Sequence, residues 1–177
     1  MKNRELIIDI LPQNSIGCEL GVFEGDFSQV LLGSKKFKEL HLVYPFYGSI
    51  ESGDKNGFNI KSYEGSFLFN KVSNRFQKND VVKIHRKTSI DFLLSSVDNY
   101  FDFIYIDTTH QYKQTLDELN LSFKKIKNNG IISGHDYNHE LFMGVVSAVD
   151  AFSKDNNLEL HLTTEDKLAT FYFFIKK

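Results

Sequence analysis

The chain has 177 residues, and 21 Lys and Arg side chains against 23 Asp and Glu side chains give a formal charge of −2. This length predicts one domain over residues 1–177, and the charge provides no basic excess for nucleic-acid phosphates. No uncharged apolar stretch approaches the ~20 residues of a membrane-spanning helix, and the amino terminus lacks a signal-peptide pattern. We therefore expect a soluble, cytoplasmic protein without membrane or nucleic-acid partners. The single Cys18 is expected to be buried and unreactive.

Short apolar runs alternate along the chain with segments of helical periodicity, which is typical of an α/β protein built around a mainly parallel sheet. Strands are predicted at 16–20, 40–44, 81–84, 101–106, 131–133, 158–162 and 169–175. Helices are predicted around 27–31, 63–77, 91–94, 116–126 and 145–152, with a cap for the fourth at Asn128-Asn129-Gly130. The last two strands flank a turn-prone segment, so the expected architecture is a seven-stranded, mostly parallel sheet with helices on both faces and a carboxy-terminal antiparallel hairpin.

The residues that directly follow the strands are the candidates for a site, because an open parallel sheet binds ligands beyond the carboxyl ends of its strands. After the first strand, Glu19 precedes Gly21 and Gly25. Glycines here allow a tight turn and let a ligand lie against bare main chain beside a helix N-terminus, although a purely structural turn is the alternative. The spacing is not the GxGxxG of nicotinamide-dependent oxidoreductases, which disfavours that class.

Two carboxylates follow later strands. Asp107 comes directly after 101–106, and Asp136 comes shortly after 131–133. If these strands are neighbours, both carboxylates lie at one rim, where oxygen ligands suit Mg²⁺, Mn²⁺ or Ca²⁺. A nearby His110 or His135 would shift the preference toward transition metals. The alternative is that Asp107 caps the next helix and His135 packs in a polar rim.

These segments resemble the class I S-adenosylmethionine-dependent methyltransferases over roughly residues 15–175. The run Glu19-x-Gly21-x-x-x-Gly25 resembles their cofactor loop. The runs Asp107-x-x-His110-x-Tyr112 and Gly134-His135-Asp136-Tyr137 resemble the branch that includes macrocin O-methyltransferase-like and cephalosporin-hydroxylase-like proteins. The resemblance implies a Rossmann-like fold, S-adenosylmethionine as cofactor, and methylation of a hydroxyl on a small-molecule acceptor with help from a divalent cation.

The resemblance also implies roles for individual residues. The cofactor would contact Glu19, Gly21, Gly25, Tyr44, Ser89 and Asp107. The cation would be held by Asp107, His135 and Asp136, and the catalytic candidates are His110, His135 and Asp107, with one of the two histidines accepting the hydroxyl proton. Glu19 is expected to accept hydrogen bonds from the ammonium of the cofactor, and Ser89 is expected near its adenine edge.

Two positions depart from the family. Tyr44 stands where an acid normally binds the ribose hydroxyls, and Thr109 replaces an acid in the loop after the fourth strand. Both departures favour the alternative of a non-catalytic nucleoside- or metal-binding module with the same fold. The sequence does not identify the acceptor, whose specificity is expected to come from loops 45–62 and 137–143. The first loop contains the long aperiodic stretch 48–61, whose length makes it a site candidate. The sequence does not decide the oligomeric state, and one alternative is a homo-oligomer in which a partner subunit supplies a lid over the site.

Overall fold

A computed structural model describes residues 3–46, 62–138 and 140–176, and this part of the chain contains seven strands and six helices. The strands are β1 (Ser15–Leu20), β2 (Phe37–Val43), β3 (Val82–His85), β4 (Phe101–Ile106), β5 (Ile126–Tyr137), β6 (His161–Leu162) and β7 (Ala169–Phe174). The helices are α1 (Arg4–Asp9), α2 (Asp26–Gly33), α3 (Ser62–Phe76), α4 (Ser89–Ser95), α5 (Tyr112–Lys125) and α6 (Met143–Asp155).

All seven strands form one sheet in the order β3-β2-β1-β4-β5-β7-β6. The first five strands run parallel, and β7 is antiparallel to both β5 and β6. This confirms the predicted α/β, Rossmann-like architecture with its carboxy-terminal antiparallel pair. The strand order reverses between β1 and β4, so the crevice beyond their carboxyl ends is the place where such a sheet binds ligands.

The central strands are buried on both faces, as parallel strands covered by helices must be. On β4, Ile104 and Ile106 pack into one apolar cluster with residues of α4, α5 and α6. The alternate residues Phe103 and Tyr105 pack into a second cluster with residues of α1, α2 and α3. A layer of helices therefore covers each face of the sheet. The loops that follow the parallel strands lie at its carboxyl edge.

The predicted helix cap at Asn128-Asn129-Gly130 is wrong. Helix α5 ends at Lys125, and all three residues lie within β5. The Asn129 N–H donates to the Ile175 carbonyl at 2.7 Å, and the Ile175 N–H donates to the Gly130 carbonyl at 2.9 Å. Pairing with the carboxy-terminal segment therefore draws this turn-prone sequence into the sheet, where tertiary contacts override its local preference.

Helix α1 was not predicted from the sequence. Its N-terminus is capped by Asn3, whose side chain accepts a hydrogen bond from the Leu6 N–H, and it buries Ile7 and Ile8. The predicted strand at 158–162 is shorter in the structure, where β6 contains only two residues. Cys18 is buried, as predicted. Among the described residues, no helix combines the length and apolar character needed to cross a membrane.

Candidate functional site

The turn after β1 brings the carboxyl ends of β1 and β4 together. Gly21 has a φ of +102°, and its N–H donates to the Val43 carbonyl at 2.9 Å. A Cβ atom at Gly21 would collide with the Asp107 carbonyl, and the Asp107 N–H donates to the Leu20 carbonyl at 2.8 Å. Glycine is thus required here by the fold itself. A Gly21→Val variant would disrupt the sheet centre, so it would not be a clean test of ligand binding.

Gly25 and Glu19 lie beside the start of α2. Gly25 is the N-cap with a φ of +83°, and an added Cβ would come within 2.8 Å of the Phe76 ring. Glu19 is 2% exposed, and its carboxyl accepts a hydrogen bond from the Ser28 hydroxyl. Burial raises the pKa of Glu19 to about 8, so this carboxyl is mostly neutral at pH 7. Its role toward a cofactor ammonium stays a prediction.

Tyr44 follows β2 and belongs to an aromatic group. Its ring meets the buried Phe46 edge-on at 5.0 Å, and Phe46 meets Phe69 of α3 at 5.3 Å. The Arg86 guanidinium donates to the Phe46 carbonyl at 2.9 Å and lies over the Phe69 ring. The end of β2 therefore carries an aromatic cluster, with the Tyr44 phenol at the position where the resemblance implies an acid. The stretch 48–61 lies outside the described residues.

Ser89 begins α4 and is buried, with its hydroxyl donating to the Glu118 carboxyl. Glu118 lies on α5, and it also accepts a hydrogen bond from the Thr108 hydroxyl at 2.7 Å. Asp91 lies in the first turn of α4, where the Thr88 side chain accepts a hydrogen bond from its N–H. The predicted position of Ser89 near an adenine edge stays a prediction.

Four side chains, which we call the rim cluster, meet at the carboxyl ends of β4 and β5: Asp107, His110, His135 and Asp136. The His110 Nε2 atom lies 2.6 Å from Asp136 Oδ2 and 3.9 Å from Asp107 Oδ1. Possible ligand atoms of Asp107, His110 and Asp136 all lie within 4.8 Å of one another. His110 and Asp136 have positive φ values, 62° and 63°, a backbone conformation more common at functional sites than elsewhere.

The two rim carboxylates differ in pKa. Burial and the neighbouring Asp136 raise the pKa of Asp107 to about 6. Burial also disfavours the charged form of Asp136, but hydrogen bonds from His110 and His135 outweigh it and hold the pKa of Asp136 well below its usual range. Asp136 therefore stays ionised, while within the described part of the chain no hydrogen bond reaches the Asp107 carboxylate.

The structure brings the two predicted carboxylate ligands, Asp107 and Asp136, together with His110 rather than with the predicted ligand His135. His110, predicted as a candidate proton acceptor, lies within ligand distance of both carboxylates. His135 Nδ1 instead lies 2.9 Å from Asp136 Oδ1, on the other oxygen of that carboxylate. Asp107 does not cap α5, whose N-cap is Gln111. A small cleft opens beside the cluster and is lined by Asp107, Thr108, His110 and His135 together with the apolar Ile106, Val145 and Phe171.

Sequence reasoning missed two charged residues near this site. Glu118 falls on a helix face where Thr115 and Ser122 are also buried, and polar residues at this spacing were the available signal. Arg4 lies on the unpredicted α1, with its guanidinium 4.5 Å from the centre of the Phe27 ring. Its positive charge also lowers the pKa of Asp107 and Glu19, although only slightly against burial.

Solved structures of other proteins share the fold of this chain. The O-methyltransferase NovP superposes with a TM-score of 0.68 at 17% identity, over 98% of this chain and 76% of that chain. SMU.1697c, a putative methyltransferase from Streptococcus mutans in complex with S-adenosylhomocysteine, superposes with a TM-score of 0.68 at 11% identity, over 99% of both chains. Identities this low show a shared fold alone.

Two comparisons rest on sequence. An uncharacterized protein, R132 of Acanthamoeba polyphaga mimivirus, is 27% identical over 122 residues, which are 67% of this chain. The match covers 50% of that curated relative, so the chain spans about half of its length. The family described as methyltransferase domain matches residues 18–137, from β1 through the end of β5, which is more than half of the 177 residues. The matched segment carries both the glycine turn and the whole rim cluster, and the chain therefore belongs to this methyltransferase-domain family.

Proposed function

We propose that the chain is an S-adenosylmethionine-dependent methyltransferase that methylates a hydroxyl of a small molecule with the help of a divalent cation. The observation that carries this proposal is the direct contact between the Gly21 turn and Asp107 at the point where the strand order reverses. One residue, Asp107, thereby borders both the glycine turn and the carboxylate–histidine cluster. A methyl donor and a cation bound there would be neighbours, as methyl transfer between positioned groups requires.

The crevice offers the residue types that a nucleoside sulfonium needs. Gly21 leaves bare main chain at the end of β1, Tyr44 offers a phenol at the end of β2, and Ser89 begins the helix after β3. S-adenosylmethionine, when bound, supplies an electrophilic methyl group whose transfer to an acceptor oxygen leaves S-adenosylhomocysteine. These residues would bind and orient the cofactor, and the structures solved with S-adenosylhomocysteine share this fold.

Asp107, His110 and Asp136 fit a divalent cation because they offer two carboxylates and an imidazole within one small volume. The rim cluster has more hydrogen-bond acceptors than donors, since the Asp107 carboxylate receives no hydrogen bond from the described residues. A divalent ion, when bound, supplies positive charge beside the acceptor hydroxyl and so lowers its pKa.

His135 is then the better candidate for the proton acceptor. Its Nδ1 faces Asp136 at 2.9 Å, and this contact orients the ring so that Nε2 is the nitrogen left to accept a proton. His135 also lines the cleft beside the cluster, where an acceptor hydroxyl would enter. His110, placed between the two carboxylates, would be occupied as a ligand.

The test has two stages. Calorimetric titration with S-adenosylhomocysteine should give a saturable heat, and its absence would reject the cofactor. Methyl transfer from labelled S-adenosylmethionine is then measured over a panel of hydroxylated acceptors with Mn²⁺, Mg²⁺ or a chelator. We expect turnover with metal and its loss in chelator; full activity in chelator would reject the role of the cation.

A second candidate, a non-catalytic binding module with this fold, is favoured by two observations. Tyr44 replaces the ribose-binding acid, and the buried Thr109 hydroxyl has no hydrogen-bond partner among the described residues. Tyr44→Asp should tighten S-adenosylmethionine binding about tenfold by adding a charge-assisted hydrogen bond. Tyr44→Asn is the matched control, because Asn has nearly the same size as Asp but carries no charge. Cofactor binding without turnover of any acceptor would favour the module.

A further inference from the structure

We propose that Glu118 is a positioning residue of the site, which holds the turn that begins α4 and the loop that carries Asp107 and His110 at a fixed separation. This inference rests on the proposed function, because it takes these two segments as opposite walls of the cofactor crevice. Glu118 itself lies behind the crevice on α5 and would touch neither cofactor nor acceptor. Its effect on binding would pass through Ser89 and Thr108.

The hydrogen bonds of Glu118 join three separate parts of the chain. Its Oε1 atom accepts from the Ser89 hydroxyl of α4 and, at 3.1 Å, from the Gln114 amide of α5. Its Oε2 atom accepts from the Thr108 hydroxyl at 2.7 Å. Thr108 is the residue directly after Asp107. Each carboxyl oxygen therefore serves a different wall of the crevice, which requires a side chain with two hydrogen-bonding atoms at its end.

Stability alone does not account for an acid at this position. Glu118 is 0% exposed, and its three hydrogen-bond partners are neutral. Burial raises the pKa of Glu118, which shows that the charged form is disfavoured here. A well-packed apolar side chain usually stabilises such a position at least as well as a buried acid does. The arrangement is instead suited to fixing geometry, since a satisfied buried polar network specifies one arrangement of its members.

Removing the Glu118 carboxyl separates this role from a general effect on folding. Glu118→Ala leaves Ser89, Thr108 and Gln114 without their common acceptor, so the two walls lose their link. Glu118→Gln keeps an acceptor oxygen, and its amide can donate to a hydroxyl that rotates. Leu119→Ala is the matched control, because Leu119 is the next residue of α5, is fully buried in the apolar core, and leaves a cavity of similar size without removing a hydrogen bond to Ser89 or Thr108.

The measurement is the affinity of each full-length variant for S-adenosylhomocysteine by calorimetry, together with its thermal unfolding. We expect Glu118→Ala to bind at least about tenfold more weakly, since several hydrogen bonds worth about fivefold each are lost. Glu118→Gln should stay within about threefold of the parent, and so should Leu119→Ala despite a lower unfolding temperature. Affinity of Glu118→Ala within threefold of the parent, or an equal loss in Leu119→Ala, would overturn the inference.

Two further results keep the inference separate from the proposed function. A parent protein that gives no heat with S-adenosylhomocysteine contradicts the proposed function, and the inference with it. If Glu118→Ala does not fold, Thr108→Val takes its place, because it removes one hydrogen bond and leaves the carboxyl intact. We expect Thr108→Val to weaken binding about fivefold, the value of one lost hydrogen bond. An unchanged affinity in Thr108→Val would overturn the inference.

Discussion

The rim cluster and a second acid–histidine cluster contain similar side chains, but their balance of donors and acceptors is opposite. The second cluster, which we call the edge cluster, contains Glu39, His41, Lys83, His85 and Tyr100. In the rim cluster two carboxylates share two imidazoles. In the edge cluster a single carboxylate, Glu39, receives hydrogen bonds or an ion pair from His41, Lys83 and Tyr100, each at 2.5 Å.

The edge cluster satisfies its own polar groups. The His41 Nδ1 atom lies at hydrogen-bond distance, 3.0 Å, from His85 Nε2, and the two rings stack nearly parallel. Burial lowers the pKa of His85 to about 4, so this ring is neutral at pH 7. Burial alone would raise the pKa of Glu39, but its three donors lower it to about 2. Nothing in this cluster calls for a further positive charge.

The rim cluster has the opposite imbalance, because Asp107 lacks such donors and its pKa is raised to about 6. A surplus of acceptors at a strand end is what a cation would correct, whereas a balanced cluster stabilises the fold. Residue type alone therefore does not distinguish a binding site from a structural network. The count of donors against acceptors does, and the following variants test it.

The largest effect is expected from Asp136→Ala. This change removes the carboxylate that contacts both rim histidines. We expect Mn²⁺ affinity to fall by more than about a hundredfold, because losing a ligand costs more than losing a residue that supports one. Calorimetric titration with Mn²⁺ measures it. Glu39→Ala is the matched control and should bind Mn²⁺ as the parent does; equal losses in both variants would contradict the distinction.

Glu39→Ala should instead lower the free energy of unfolding by roughly 2 kcal/mol, since Lys83, His41 and Tyr100 lose a charged acceptor. The lowered pKa of Glu39 also fixes a pH dependence. A carboxyl with a lowered folded-state pKa contributes stability above its unfolded value of 4.5, and this contribution is lost as the pH falls from there to about 2. Urea unfolding at pH 7 and pH 3 measures both. A difference between parent and variant that persists unchanged at pH 3 would argue against this account.

The smallest predicted effect is a gain in stability from Asp107→Asn, which is opposite in sign to the loss expected from Glu39→Ala. Asp107 has a folded-state pKa of about 6 against 3.8 when unperturbed, so its proton is held more tightly in the folded chain. Its contribution to stability is present below pH 3.8 and is lost as the pH rises to about 6. Asp107→Asn should therefore stabilise the metal-free protein at pH 7.5, by about 1 kcal/mol once solvent screening of a side chain that is 30% exposed is allowed for.

Urea unfolding in chelator at pH 7.5 and at pH 4 measures the Asp107→Asn effect. The gain should shrink at pH 4, where the parent Asp107 is itself protonated. A gain of the same size at both pH values would show that the charge of Asp107 is not its cause. With Mn²⁺ present the order should reverse, because the parent gains stability from the ion and the variant does not.

The part of the site that follows from strand order was predictable from the sequence. Asp107 and Asp136 each follow an apolar run, and β4 and β5 do pair in parallel. The features that depend on tertiary partners were not predictable. Lys125 lies in a run of lysines whose sequence indicates a solvated helix end, yet it is buried and bonds to Asp98 at 2.6 Å and to the Ser96 carbonyl at 2.8 Å. Ser89, which donates to Glu118, likewise comes from a segment 29 residues away in sequence.

The contact between Gly21 and Asp107 also has a consequence for how the protein folds. The same strand pair is joined lower down by the Ile16 N–H and the Asp102 carboxylate, which are 86 residues apart in sequence. Contacts across so long a stretch of chain form only when the entropy of closing the intervening loop has been overcome. The Gly21 turn and the rim cluster therefore come together only when β4 has paired with β1. Partly folded forms in which these strands are unpaired lack the site. A ligand bound there should slow the hydrogen exchange of amides that exchange only through global unfolding, the central strands included.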